Sequence, residues 1–89
     1  MSLTEVSLNF PTEHIVNVFG QFDSHIKKIE RTLQVTTVVR EDSLKLVGND
    51  VAIKRAANVF TQLLELSKRG NVITEQNVNY ALSLVVEDN

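Results

Sequence analysis

The segment GQFDSHIKKIE, residues 20–30, places a glycine turn between two stretches that have helical patterns. Before it, Ile15, Val18 and Phe19 recur at helical spacing, which predicts a short helix that ends at Gly20. Glycine suits this position because it adopts a positive φ without steric cost. The segment therefore predicts two helices joined by a tight turn.

The helix after the turn is predicted to end near Leu33. The apolar side chains that form its inner face are Ile26, Ile29 and Leu33. Asp23 or Ser24 precedes this helix, and either side chain can cap its N-terminus. Thr12 is expected to cap the first helix in the same way.

The regions on either side of these helices have strand patterns. Residues 5–10 alternate polar and apolar residues, which predicts a half-buried strand. The apolar residues of its inner face are Val6, Leu8 and Phe10. Residues 35–40 are rich in β-branched side chains, and residues 44–47 follow after a short turn, so together they predict a hairpin.

The second half of the chain is predicted to contain the longest helix, from about residue 50 to 69, and a final helix over residues 74–87. Asp50 is the expected N-cap of the longest helix, and Gly70 ends it. The apolar stripe of the longest helix comprises Ile53, Ala56, Ala57, Phe60, Leu63 and Leu64. The stripe of the final helix comprises Val78, Ala81, Leu82 and Val85.

The predicted order of elements indicates an α+β fold. A three-stranded antiparallel sheet with helices on one face gives each strand a cover for its apolar side, and one more helix follows at the C-terminal end. A chain of 89 residues has the length of one domain. We therefore expect residues 1–89 to form a single domain with a core at about 5–70 and an extra helix at about 74–87.

The composition excludes several classes of site. The sequence contains no cysteine, which rules out disulfides and thiolate metal sites and fits a reducing, cytoplasmic environment. No apolar run approaches the roughly 20 residues that a membrane helix needs, so no membrane partner is expected. His14 and His25 have no neighbours at metal-ligand or catalytic spacing, and we interpret both as surface or capping side chains.

The charge pattern is locally basic although the net charge is −2. The overall charge argues against a strongly electrostatic nucleic-acid binder. Residues 24–40, however, carry an excess of three positive charges. Lys27, Lys28 and Arg31 share one helix face that could meet a phosphate backbone, and the alternative is a solvated face partly neutralised by Glu30.

The glycine turn followed by the residues IKKI resembles the centre of a KH domain, and the predicted order β-α-α-β-β-α is that of the type I KH fold. In that family a G-x-x-G loop brings the backbone close to the phosphates of about four nucleotides. The resemblance implies a nucleic-acid-binding site formed by Gly20, Gln21, Phe22, Lys27, Lys28 and Arg31.

Two residues of the turn allow a second interpretation. The fourth loop position is Asp23, whose carboxylate repels phosphate, so the turn could simply end one helix and cap the next. Phe22 could stack on a base, or it could tuck beneath the two helices as an apolar turn residue.

A longer set of residues is similar to the N-terminal region of PhoH-like proteins, in which a KH-like domain precedes a P-loop ATPase domain. These residues include Gly20, Asp23, Ile26, Ile29, Leu33, Leu44, Leu46, Gly48, Ala56, Ala57, Leu63, Gly70 and Thr74. The resemblance implies an RNA-binding accessory domain. It also implies ATP and magnesium binding in the downstream ATPase domain, with no cofactor in this chain.

The chain itself is expected to have no enzymatic activity, because residues 48–55 are the nearest approach to a P-loop and lack its second glycine and its hydroxyl residue. The expected partners are single-stranded RNA and the downstream ATPase domain. The alternative function is that of a protein-interaction or oligomerisation domain with a KH shape. It rests on Asp23, on the net negative charge and on the extra helix after Gly70. That helix has apolar side chains beyond those the core needs, at Tyr80, Leu84 and Val86.

Overall fold

A computed structural model describes residues 3–86 of the chain. Within this range the strands are β1 (Thr4–Asn9), β2 (Thr36–Arg40) and β3 (Ser43–Gly48). The α-helices are α1 (Ile15–Phe19), α2 (Ser24–Leu33), α3 (Asp50–Lys68) and α4 (Glu75–Val86). Short 3₁₀ turns lie at Thr12–His14 and Gln21–Asp23. The predicted α+β class and the order β-α-α-β-β-α with one further helix are confirmed.

The three strands form one antiparallel sheet in the order β1-β3-β2. The predicted hairpin of β2 and β3 is present, and β3 is the central strand. Leu46 is paired with Val6 on one side and with Thr37 on the other. Leu44 and Leu46 are buried while Lys45 between them is half-exposed, so one face of the sheet is turned to the core.

Helices from both halves of the chain cover that face with a single hydrophobic core. Phe10, Phe19 and Phe60 meet at its centre, with ring centroids 5.8 to 6.5 Å apart. Tilted ring pairs at these distances stabilise a core in addition to the stabilisation that comes from the apolar area they bury. The first strand, the first helix and the longest helix are thereby held together.

The helix α4 contributes to the same core. Its predicted stripe is buried, at Val78, Ala81, Leu82 and Val85. In α3 the predicted stripe is also buried, except that Ala57 is half-buried while Val59 is fully buried in the core. This difference amounts to a small rotation of the buried face of α3.

The inner face of β1 is less buried than its alternation predicts. Val6 is 37% exposed and Leu8 is half-buried, so Phe10 after the strand is the only fully buried residue of the predicted set. The reason is topological: β1 lies at an edge of the sheet, where helices cover the strand over only part of its length.

The predicted N-caps of α1 and α3 are wrong. Asn49, not Asp50, has the extended backbone of a cap residue, and its side chain accepts a hydrogen bond from Ala52 N at 2.8 Å. Asp50 is the first helical residue of α3. Thr12 lies inside a 3₁₀ turn, and its backbone N–H and hydroxyl donate instead to Asp42 Oδ1, at 3.0 and 3.1 Å.

The cap geometry predicts that Asn49→Ala lowers the free energy of unfolding by about 1 kcal/mol, because the Ala52 N–H loses its partner. Urea denaturation measures this change. Asn79→Ala at an exposed position of α4 is the matched control, and it should not destabilise because alanine is the better helix former. Equal losses in the two variants would contradict the role of Asn49 as the cap.

Candidate nucleic-acid interface

Gly20 joins α1 to the following turn with a backbone conformation that only glycine adopts readily. Its φ is 83° and its ψ is 168°. Its N–H donates to Val16 O at 3.1 Å and so closes the last turn of α1. A Cβ at this position would lie 2.7 Å from His25 Cγ, so both conformation and space demand glycine.

His25 in the first turn of α2 fills the space beside Gly20. Its Nδ1 lies 3.1 Å from Val18 O, a hydrogen bond in which Nδ1–H donates to a carbonyl near the end of α1. The helix C-terminus leaves such carbonyls without intrahelical partners. His25 thus caps α1 from α2, in agreement with the capping role predicted for it.

Phe22 lies on the surface of the turn. Its backbone is left-handed, with φ 56° and ψ 31°, and its side chain is 84% exposed. The alternative in which Phe22 tucks beneath the two helices is therefore wrong. A left-handed residue reverses the course of the chain between α1 and α2, and the ring is left outside their contact.

Asp23 also has a left-handed backbone, with φ 58° and ψ 26°. An N-cap side chain reaches the helix amides from an extended backbone, and Asp23 makes no such hydrogen bond. The predicted cap at this position is therefore wrong. Its carboxylate lies on an exposed residue at the fourth position of the loop.

The three basic residues predicted to share a face of α2 have different environments. Lys27 and Arg31 are exposed and lie one helical turn apart. Lys28 is half-buried, and its Nζ lies 3.6 Å from Glu75 Oε2 of α4. Lys28 therefore ties α2 to α4, which leaves Lys27 and Arg31 as the exposed cations of this helix.

Glu30 does not neutralise those cations by an ion pair. Its Oε2 accepts hydrogen bonds from the backbone N–H of Thr37 at 2.8 Å and from the Thr37 hydroxyl at 2.9 Å. Glu30 thereby satisfies a donor of the edge strand β2 and fixes α2 against the sheet. No local pattern in the sequence links these two residues, because the contact depends on how β2 returns alongside α2.

Two open grooves lie along α2. One has a volume of about 510 Å³ and lies between α2 and β2, lined by Lys27, Glu30, Arg31, Gln34, Val35 and Thr36. The other, of about 670 Å³, lies towards the start of α4, and its lining includes Gly20, Gln21 and Lys28. The predicted site residues are therefore divided between two grooves, and Phe22 lines neither of them.

A cluster of polar side chains outside the loop holds parts of the fold together. The hydroxyl of Ser67 is buried, with His14 Nδ1 at 2.7 Å and Asn17 Nδ2 at 2.8 Å. Asn17 also accepts a hydrogen bond from Ile73 N at 2.9 Å, so the cluster holds the connection between α3 and α4 against α1. His14 is half-buried, and its ring is engaged in this cluster.

Within residues 3–86 no three acidic or histidine side chains lie close enough together to hold a metal ion. None of the helices in that range combines the length and apolar character required to cross a membrane.

Curated proteins with similar sequences share one description. PhoH-like proteins of Mycobacterium bovis and Mycobacterium tuberculosis are 25% identical to the chain over 80 residues, which cover 90% of this chain and 23% of theirs. A PhoH-like protein of Bacillus subtilis is 28% identical over 72 residues, which cover 81% of this chain and 23% of its own length. The predicted resemblance to PhoH-like proteins is confirmed.

The chain spans about a quarter of the length of these PhoH-like relatives, 23%, so it corresponds to one part of such a protein. A match over 80 of the 89 residues includes the loop wherever the match begins. No family model matches the sequence, and no solved structure matches the chain.

The loop geometry predicts that Gly20→Ala destabilises the chain by about 2 to 3 kcal/mol, because strained backbone and a clash with His25 add together. Gly70→Ala is the matched control. Gly70 also has a positive φ, of 92°, but a Cβ there would meet nothing within 4 Å. Thermal and urea denaturation of both variants should give the larger loss for Gly20→Ala, and an equal loss would contradict the packing role of His25.

Proposed function

We propose that the chain is a non-catalytic accessory domain of a cytoplasmic PhoH-like P-loop ATPase and that it binds single-stranded RNA. The observation that carries the proposal is Phe22, an aromatic side chain that is 84% exposed on a left-handed residue. The similarity to PhoH-like proteins supports the accessory role, since it covers 23% of their length.

The strained backbone of Phe22 is not offset by burial of its side chain. A left-handed backbone costs an L-residue about 1 to 2 kcal/mol, and a bulky side chain is an outlier there. A buried ring would offset this cost, but the ring of Phe22 is exposed. Backbone strain that packing does not offset is typical of residues that serve binding. Base stacking on an exposed ring is the corresponding function, and it is largely independent of sequence.

The groove between α2 and β2 supplies the cationic part of the interface. Lys27 and Arg31 line it along α2, and neither is engaged in an ion pair within residues 3–86. An aromatic platform beside a basic groove is the usual combination in proteins that bind single strands. The local charge therefore matters more here than the net charge of −2.

The loop contacts nucleic acid differently from a phosphate-clamping G-x-x-G loop. The ring of His25 occupies the side of Gly20 to which a Cβ would point, and Gly20 also lines the groove towards α4. Asp23 adds a negative charge at the fourth position. Under this proposal the phosphates contact Lys27 and Arg31, and the loop contributes the ring of Phe22.

The ATP and magnesium chemistry of the full-length protein is proposed to lie outside this chain. The only sequence that resembled a P-loop has a structural role: Gly48 ends β3, and Asn49 caps α3. A phosphate-binding loop requires amides and a lysine that converge on one phosphate group. Residues 48–55 instead continue into an ordinary helix.

The stacking role predicts opposite effects of Phe22→Gly on stability and on binding. Glycine relieves the left-handed strain, so the melting temperature should not fall. Loss of the ring should weaken binding of a short single-stranded RNA about tenfold, since one stacked base is worth about 1 to 3 kcal/mol. Fluorescence anisotropy with a labelled oligouridine at low and physiological salt measures the affinity.

The matched control is Tyr80→Ala, which removes an exposed aromatic ring from α4 and should leave RNA affinity unchanged. The logarithm of the affinity should fall with the logarithm of salt concentration with a slope of about −1.4 if Lys27 and Arg31 each contact one phosphate. Absence of salt-dependent binding in the wild-type chain would overturn the proposed function.

A second candidate function, protein interaction or self-association, is favoured by the outer face of α4. Tyr80, Leu84 and Val86 are 66%, 44% and 43% exposed. Their neighbours on the opposite face of the helix pack into the core, so α4 is apolar on both sides. Exposed apolar residues that group on one element are typical of interaction surfaces.

This second function predicts a concentration-dependent dimer that Leu84→Asp converts to a monomer, because a buried carboxylate in the interface would be unpaired. Multi-angle light scattering over a concentration series measures the mass. Val51→Asp places the same charge at an exposed valine of α3 and should leave the mass unchanged. A wild-type chain that is monomeric at all concentrations would exclude self-association through α4.

A further inference from the structure

The groove between α2 and β2 contains one carboxylate between its two cations. Glu30 lies on α2 between Lys27 and Arg31, and all three line the groove. Both of its hydrogen bonds to Thr37 are accepted by Oε2, at 2.8 and 2.9 Å. These two bonds fix the position of the carboxylate within the groove.

The other oxygen of this carboxylate is available to a ligand. Within residues 3–86, Oε1 of Glu30 makes no hydrogen bond to the protein. An ionised carboxylate is an acceptor only, so it binds donors and repels other acceptors. Gln34 in the same groove uses its Nε2 to donate to Arg31 O at 2.8 Å, which leaves its own Oε1 as an acceptor. The groove therefore combines acceptors along its wall with cations beside them.

The four bases differ in the hydrogen-bond donors that they can present to the acceptors of this groove. Unpaired bases in single strands are read on their Watson–Crick edges. On that edge guanine presents two adjacent donors, the N1 imino and N2 amino groups. Adenine and cytosine present one amino group beside an acceptor nitrogen, and uracil presents one imino group between two carbonyl oxygens. Guanine alone offers two adjacent donors that can share the one free oxygen of this carboxylate, Oε1, and uracil is disfavoured by its carbonyls.

We propose that Glu30 selects guanine in single-stranded RNA, through Oε1 in the groove between α2 and β2. The inference rests on the proposed function and adds to it the identity of one base. The phosphates next to the guanine lie near Lys27 and Arg31, so the same groove attracts the backbone and discriminates the base. Thr37 is a positioning residue, because it holds the carboxylate without touching the ligand.

The test uses uridine heptamers whose central base is guanine, adenine, cytosine or uracil. Each strand carries at most one guanine, which is too few for the strands to associate through their guanines. Fluorescence anisotropy should show the guanine oligomer binding about tenfold tighter than all-uridine, since a good side-chain pair to a base edge discriminates by about that factor or more. Equal affinity for the four oligomers would overturn the selection by Glu30 while leaving the proposed RNA binding intact.

Glu30→Gln separates base selection from support of the fold. The glutamine carbonyl can still accept from Thr37, whereas its amide nitrogen is a donor. We expect the melting temperature to stay near the wild-type value and the guanine preference to fall below about twofold. Glu65→Gln on the exposed face of α3 makes the same charge change outside the groove and should keep the preference.

Thr37→Val is a second test variant, because valine has nearly the same shape as threonine. It removes the hydroxyl bond to Glu30 and keeps the backbone N–H bond, so the guanine preference should decrease without disappearing. An unchanged preference in Glu30→Gln would overturn the inference. Failure of every oligomer to bind the wild-type chain would instead overturn the proposed function itself, so the two failures are distinguishable.

Discussion

The packing of the His25 ring against the bare Cα of Gly20 fixes how the two short helices meet. Gly20 turns the chain with a backbone conformation that other residues avoid, and His25 then donates from Nδ1 to Val18 O. The end of α1 and the start of α2 are thereby held together across the short turn at residues 20–23. This junction sets the direction in which α2 leaves the loop, and Glu30 then bonds α2 to Thr37 of β2.

Local sequence patterns predicted the parts of this arrangement that depend on local physics. The apolar stripe Ile26, Ile29, Leu33 and the hairpin that follows were predictable, since periodicity and β-branching act within one element. The cap at Asn49 was missed by one residue, because asparagine and aspartate cap equally well and only the backbone decides between neighbours. The partial exposure of Val6 depends on the edge position of β1, which no alternation within the strand reveals.

The candidate site was less predictable than the fold, because its key contacts join residues from different elements. Lys27, Lys28 and Arg31 looked equivalent on a helical wheel, yet α4 engages Lys28 through Glu75. Glu30 looked like a counter-ion for its neighbours on the helix, yet it bonds to Thr37 on the sheet edge. The packing of α4 and β2 around α2 therefore decides which charges remain for a ligand.

The side chains that remain available to a ligand can provide selectivity more readily than high affinity. One stacked base contributes about 1 to 3 kcal/mol, and one pair read on a base edge contributes about as much. Association costs several kcal/mol before either contact is made, so these terms with two phosphate contacts give weak binding to an isolated domain. Weak, selective binding becomes effective when a second site in the same protein holds the same strand, because tethering raises the local concentration of the ligand. Under the proposed function, a chain that spans 23% of the length of its PhoH-like relatives would choose the base, and other parts of a PhoH-like protein would hold the strand.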